Sequence, residues 1–252
     1  MDLAFSIARF VEDARISVLR DHDEPFAIDW LPNGRTSIVI RVPDEGPGDA
    51  YVIGPRTRAK LKRATGFQRA AAIQFKPGWV PSLFGVPASE LTDQLVPLEE
   101  LWGPASRDVT SELVAASSIP VMLERLSRAI AGHATFEASS AHLARRAIRL
   151  FQTSETRVEA VAKQLGVSAR HLRRAFLDSV GIGPKQFARG VRLQRAIAET
   201  AQTSDWGVIA HNAGYYDQAH MIGDFRELVG LTPNAYLAQR SPQRTPQYRA
   251  SG

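Results

Sequence analysis

The chain has no cysteine. That excludes disulfides, thiolate zinc sites and cysteine nucleophiles, and it suits a protein that never needs an oxidising compartment. Histidine is scarce: the first 135 residues hold only His22 and His133, so a metal centre built from clustered strand histidines is not expected, and no metal or cofactor is assigned. A glycine-rich phosphate loop and a zinc-protease HExxH motif are both missing. No apolar run approaches the roughly 20 residues needed to cross a bilayer, and MDLAFSIARFVED reaches acidic residues before a signal-peptide core can form. These absences lead to the expectation of a soluble, cytoplasmic protein with no membrane partner.

What is present is 252 residues, 44% of them hydrophobic, enough for one large domain or two modest ones with real cores. The net charge of +5 is uneven. Residues 1–135 carry 15 Lys+Arg against 17 Asp+Glu, whereas residues 136–252 carry 16 against 9. A basic second half points to a polyanionic partner for that half and a different task for the first.

Residues 14–76 alternate short apolar runs with turn residues. ARISVLR, FAIDWL, TSIVIRV, AYVIG and AAAIQF are strand-like, and Asn33-Gly34 and Glu45-Gly46-Pro47-Gly48 between them carry hairpin or loop signals. From Trp79 the pattern turns helical through VPSLFG, residues 88–94 and residues 98–102. A longer helix around Pro120 to Ile130 puts Leu123, Leu126 and Ile130 on one face. Small and polar residues from Gly132 to Ala141 mark a domain junction, giving a β-rich domain over 1–135 and an all-helical one over 141–240. The fold class is α+β. In the second domain Leu143, Ala147, Leu150 and Phe151 form one apolar stripe, and Val158, Val161, Ala162 and Leu165 the next.

That helical domain contains an internal repeat. Ala162 and Gly166 recur as Ala210 and Gly214. One extra residue later, Leu172, Phe176, Gly181, Pro184 and Phe187 recur as Met221, Phe225, Gly230, Pro233 and Tyr236. The alanine lets two helices approach, and the glycine supplies a sharp turn at a φ that a Cβ would oppose. Ser168 and Asp217 start the second helix of each copy, Gly181 and Gly230 stop it, and Pro184 and Pro233 open the helix that follows. The pattern describes two helix-turn-helix units. An all-α core without a nucleic-acid partner would explain the helices but not the duplication, the glycines and the charge together.

The segments VEAVAKQLGVSARHLRRAF, RGVRLQRAIAE and WGVIAHNAGYYDQAHMIGDFRELVGLTPNAYL resemble the DNA-binding domain of AraC/XylS-type transcriptional regulators, over about Ala141 to Arg240. GPRTRAKLKRA and FKPGWVPSLFGVPASELTDQLVPLEELWG look, more loosely, like the N-terminal half of a subgroup of them. The resemblance implies seven helices, with two recognition helices entering adjacent segments of the major groove of double-stranded operator DNA. It also implies a partner RNA polymerase, and an N-terminal half that senses a small-molecule effector, forms a homodimer, or both. A linking helix over residues 184–202 would span about 28 Å, close to the ~34 Å groove repeat once flanking turns are added.

On the first recognition helix, residues 169–178, removing the buried Leu172, Ala175 and Phe176 leaves Arg170, Arg173 and Arg174 to face DNA; arginine reads guanine with two hydrogen bonds or clamps phosphate. By resemblance Arg170 and Arg174 lead as base readers. The second helix offers Asp217, Gln218, His220 and Ile222. Its Gly223 stands where the family often has an arginine, so it is expected to read fewer bases, through Gln218 and His220. Phosphate contacts are assigned to Ser168, His171, Lys185, Gln186, Thr232 and Asn234 and to backbone N–H groups at helix starts.

The first domain shows no catalytic set. Asp21, Asp23 and Glu24 around His22 read as a surface loop. Trp30, Tyr51, Phe75, Trp79 and Phe84 either line an apolar effector pocket or form core. Two other readings are a non-specific architectural DNA binder, which the arginine-rich helix argues against, and an enzyme domain fused to a DNA-binding module, for which no catalytic residues are visible.

Overall fold

A computed structural model describes residues 7, 9–18, 26–64, 67–133, 139–153, 157–239 and 247–249. The chain is α+β: an antiparallel sheet with its own helices comes first, and the regular elements among the described residues of 139–239 are all helices.

Eight strands are present among the described residues: β1 (Val11–Val18), β2 (Phe26–Trp30), β3 (Thr36–Pro43), β4 (Asp49–Ile53), β5 (Lys60–Ala64), β6 (Phe67–Phe75), β7 (Leu95–Pro97) and β8 (Gln247–Arg249). Six form one sheet in the order β7-β4-β3-β6-β1-β8, and β2 pairs with β5 separately. In β3 the inward Ile38 and Ile40 are fully buried while Val39 between them is half-buried, the period-two pattern of a strand covered on one face. The cover is helical: α1 (Val80–Phe84), α2 (Ala88–Leu91), α3 (Leu98–Trp102), α4 (Ser106–Val114) and α5 (Ile119–His133). Leu83, Phe84, Trp102, Leu126 and Ile130 join Ile38, Ile73 and Phe75 in a single core.

The Glu45–Gly48 segment is the turn between the paired strands β3 and β4. Asn33-Gly34 does not close a hairpin, because the strands it joins, β2 and β3, lie in different sheets. Asn33 instead folds its Oδ1 back to accept from Arg35 N at 3.0 Å, and Gly34 adopts φ +69°. A Cβ on Gly34 would lie 2.8 Å from Val180 and 2.9 Å from Phe187, both in the helical domain. The turn is shaped for docking.

Seven helices follow among the described residues: α6 (Ser139–Thr153), α7 (Val158–Gln164), α8 (Ala169–Ser179), α9 (Pro184–Glu199), α10 (Trp206–Asn212), α11 (Gln218–Val229) and α12 (Pro233–Gln239). The connecting helix α9 is shorter than expected. It stops at Glu199 rather than residue 202, so its sixteen residues span about 24 Å. Phe151, Phe176 and Phe187 meet with ring centroids 5.6–6.1 Å apart and centre the first unit, each pair adding about 1 kcal/mol beyond its burial.

The two halves are packed against each other. Leu31, Ala59 and Leu61 lie on a cluster made by Leu193, Phe225, Leu228 and Tyr236. Ala59 N donates to Leu228 O at 2.7 Å, Gln186 Nε2 to Thr57 O at 3.0 Å and Thr92 Oγ1 to Gly181 O at 2.8 Å. The Arg145 guanidinium sits 3.8 Å above the Trp79 ring. Gly190, in the middle of α9, lies so close to the first domain that a Cβ there would stand 2.0 Å from Pro32 O. The proposed boundary within residues 132–141 falls largely on 134–138, outside the described residues, as do His22, Asp21, Asp23 and Glu24.

Candidate nucleic-acid interface

The repeat read from the sequence is a repeat of hydrogen bonds. In the first unit Val167 N donates to Ala162 O at 3.0 Å, and in the second Tyr215 N donates to Ala210 O at 2.9 Å. Gly166 and Gly214 turn the chain with φ +70° and +84°. Ala162 and Ala210 are both buried where the helices cross. Ser168 Oγ accepts from His171 N at 3.1 Å, and Asp217 Oδ1 accepts from His220 N at 2.7 Å, so equivalent residues cap α8 and α11. Both helices then end at glycines of positive φ, Gly181 and Gly230.

Helix α8 buries Leu172, Ala175, Phe176 and Ser179 and leaves Arg170, Arg173 and Arg174 exposed. None of the three makes an ion pair or side-chain hydrogen bond among the described residues. They are spaced i, i+3 and i+4, so their like charges crowd one helix face without an internal counter-ion. The nearest acid on the helix, Asp178, is held by Ser140 Oγ at 2.5 Å. A polyanion relieves that repulsion.

The arginines of α9 behave differently, and sequence reading did not separate them. Arg189 reaches Asp224 Oδ1 through Nε at 3.1 Å and Nη2 at 2.8 Å, and Glu227 through Nη1 at 2.9 Å and Nη2 at 2.6 Å. Arg192 approaches the other Asp224 oxygen at 3.4 Å, and Arg195 donates to the carbonyls of Phe151 and Gln152. Asp224 is 93% buried. Hydrogen bonding to Arg189 lowers the Glu227 pKa, and the same pair raises that of Arg189. The bonds of Arg189 and Arg192 fasten the C-terminal half of α11 to the middle of α9, and those of Arg195 tie α9 to α6. The N-terminal half of α11 is held toward the end of α9, where Met221 clusters with Ala196, Ile209 and Tyr215.

On α11, Gln218 and His220 are exposed and Ile222 is half-buried. The His220 ring meets Tyr215 edge-on at 5.4 Å. Asp217 is committed as a cap. Gly223 faces open space, with nothing within 4 Å of the position its Cβ would take. Next to this helix start Tyr216 is 92% exposed. Sequence reading passed over it; the signal was the Tyr-Tyr pair after Gly214, of which only one ring can enter the core.

Of the residues assigned to phosphate, Ser168 and Thr232 act as caps, the latter accepting from Ala235 N at 3.3 Å, and His171 and Lys185 are exposed. Asn234 Oδ1 accepts from Trp206 Nε1 at 3.0 Å. Gln186 spends its amide on Thr57 O of the first domain.

The five aromatics of the first domain do not gather round one space. Phe75, Trp79 and Phe84 are core, with Phe84 stacked on Trp102 at 5.9 Å. Tyr51 lies under Arg41, which is paired with Asp49. Trp30 alone of the five lines a small recess, together with Asn33, Arg35, Ser37, Arg56 and Gln74. His133 stacks on Trp102 at 4.8 Å and its Nδ1 bonds Ala129 O. Among the described residues no group of three or more His, Asp or Glu is placed to hold a metal ion, and no helix is long and apolar enough to cross a membrane.

Residues 161–239 match a helix-turn-helix domain family, and residues 4–97 match a domain of unknown function (DUF6597). The HTH-type transcriptional regulator Rv1931c of Mycobacterium tuberculosis is 31% identical over 81 residues, 32% of this chain and 31% of that protein. The chain thus aligns with about a third of the length of the curated relative it matches. Similar solved structures include the C-terminal domain of AraT, a response regulator from Geobacillus stearothermophilus. It is 25% identical with TM-score 0.38, covering 42% of this chain and 93% of that one. ToxT from Vibrio cholerae is 11% identical with TM-score 0.47, covering 93% and 99%.

Proposed function

We propose that this chain is a sequence-specific transcriptional regulator of the AraC/XylS type, controlled by an effector bound in its first domain; the helix-turn-helix match over residues 161–239 and the likeness to an HTH-type transcriptional regulator support the reading. The observation that carries the DNA-binding reading is the contrast among the arginines. Those of α9 are consumed by carboxylates and carbonyls, whereas Arg170, Arg173 and Arg174 of α8 are exposed and uncommitted.

Helix α8 enters the major groove, with Arg170 and Arg174 reading guanines and Arg173 holding phosphate. Helix α11 enters the next groove segment through Gln218 and His220, and Tyr216 packs its ring against the sugar-phosphate backbone beside them. Because α11 carries Gly223 where a longer side chain would reach DNA, it contributes less base discrimination. Lys185 and the free amide group of Asn234 add phosphate contacts.

The packed first domain is the means of control. It grips α9 through Pro32 and Thr57 and α11 through Ala59, so an effector that alters this docking alters how the recognition helices are presented. RNA polymerase and a second copy of the chain are the further partners.

The test is binding of the full chain to DNA selected from a random pool, in competition with unselected DNA. Strong preference for the selected sequence, lost in Arg174→Ala, is the expected result. Equal binding to both pools would leave an architectural DNA binder instead.

A further inference from the structure

The charge of the first domain is unevenly placed. Residues 50–89 hold seven Lys and Arg and no Asp or Glu, whereas the rest of residues 1–135 hold eight against seventeen. Five of the seven fall within residues 56–63, RTRAKLKR, which lead into β5 and form most of it. Arg56 is buried and donates to Asp93 O at 2.7 Å. Arg58 and Lys60 are exposed, and among the described residues neither makes an ion pair or side-chain hydrogen bond.

Backbone alternation explains the split. Ala59 and Leu61 pack on the cluster of Leu193, Phe225, Leu228 and Tyr236, so Arg58 and Lys60, the residues that alternate with them, are left in solvent beside that contact. Arg58 is also fixed in place. Before it, Thr57 O accepts from Gln186 Nε2 at the start of α9, and after it Ala59 N donates to Leu228 O at the end of α11. Its position is therefore tied to both helix-turn-helix units at once. Each helix end that the segment touches carries an exposed cation of its own, Lys185 next to Gln186 and Arg226 two residues before Leu228. Glu227, whose pKa is lowered by Arg189 and also by Arg58, already takes two hydrogen bonds from Arg189.

We propose that the β2–β5 ribbon is a third DNA contact, in which Arg58 and Lys60 hold phosphates of the duplex backbone that runs between the two major-groove segments. The proposal rests on the DNA-binding reading above and extends it to the first domain. Exposed cations without counter-ions suit a phosphate backbone, and such contacts fix position without reading sequence. Because the ribbon belongs to the first domain, DNA that spans both units holds that domain docked, and docking strengthens DNA binding in return. Lysines on an edge strand also deter pairing with another sheet, and the experiment separates the two roles.

The experiment is titration of a selected operator with the full chain across a salt series, for the wild type, Arg58→Gln/Lys60→Gln and Arg174→Ala, with phosphate-ethylation interference on the same operator. In the double variant the expected result is binding about tenfold weaker at about 0.1 M salt and a salt slope smaller by about 2. Its preference for operator over unselected DNA stays unchanged, and interference disappears at the phosphates between the two groove segments. Arg58→Lys, which keeps the charge, retains the wild-type slope. Hydrogen exchange at the Ala59 amide checks that the variants stay docked, and Lys60→Gln alone, with a slope smaller by about 1, serves if the double variant does not. An unchanged slope and interference pattern, while Arg174→Ala loses operator preference, overturns the ribbon contact and leaves the regulator reading intact. An unchanged slope with self-association of the double variant assigns the cations to edge protection and overturns the contact equally. A reduced slope in the double variant with no effect of Arg174→Ala upholds the ribbon and refutes the reading of α8.

Discussion

Gly190→Ala should destabilise the protein, although alanine is the better helix former. Gly190 lies in the interior of α9 at an ordinary helical φ, and in an open helix the change would stabilise by about 1 kcal/mol. Here the new methyl would stand 2.0 Å from Pro32 O, 3.2 Å from Pro32 C and 3.7 Å from Asn33 Cα. The obstacle is backbone on a buried residue, so relief requires a shift of about 1 Å between helix and turn, and overpacking of this kind costs roughly 1–3 kcal/mol. The net expectation is a loss of up to about 2 kcal/mol. Gly223→Ala is the matched control, because it is also mid-helix but faces open space, and should gain about 1 kcal/mol. Urea unfolding of the full chain measures both, and hydrogen exchange at the Ala59 amide, which donates to Leu228 O across the contact, reports the docking itself. If Gly190→Ala is as stable as Gly223→Ala, or leaves the Ala59 amide fully protected, the two halves are not packed as described.

Arg170→Ala and Arg174→Ala should each cost about 1–3 kcal/mol against a selected operator while leaving the salt dependence of non-specific binding nearly unchanged; Arg173→Ala should instead reduce that salt slope by about one. Binding titrations across a salt series distinguish them. Arg189→Met strands the buried Asp224 carboxylate with only the long Arg192 contact and should destabilise by about 3 kcal/mol in denaturant melts. Glu227 has a lowered pKa in the folded chain because Arg189 hydrogen-bonds its charged form. Its contribution is therefore complete above the unfolded carboxylate value of about 4.3 and lost as pH falls through the folded one. Melts across that acid range should show a weaker pH dependence in Glu227→Gln.

The helix-turn-helix pair was legible because its marks are local. A positive φ selects glycine at Gly166 and Gly214, a cap selects Ser168 and Asp217, and helix crossing selects Ala162 and Ala210, so each demand leaves a residue at a fixed spacing. The elements that escaped notice lack such marks. Helix α4 buries only Ser106 and Leu113, too few for an apolar stripe, and β5 reads as the charged run KLKRA although it pairs with β2. Tertiary placement was the least legible. Nothing next to Gln186 in the chain announces that its amide serves Thr57 O, nor does Asn33-Gly34 announce that its turn is pressed against Val180 and Phe187.

The central claim is that one chain reads two successive groove segments, the first through α8. Protection of guanine N7 from methylation on a selected operator, at one bound chain per site, tests it directly. Two protected clusters about 10 base pairs apart are expected, with Arg174→Ala erasing one and sparing the other. A single cluster per chain, or a pattern indifferent to Arg174→Ala, would contradict it.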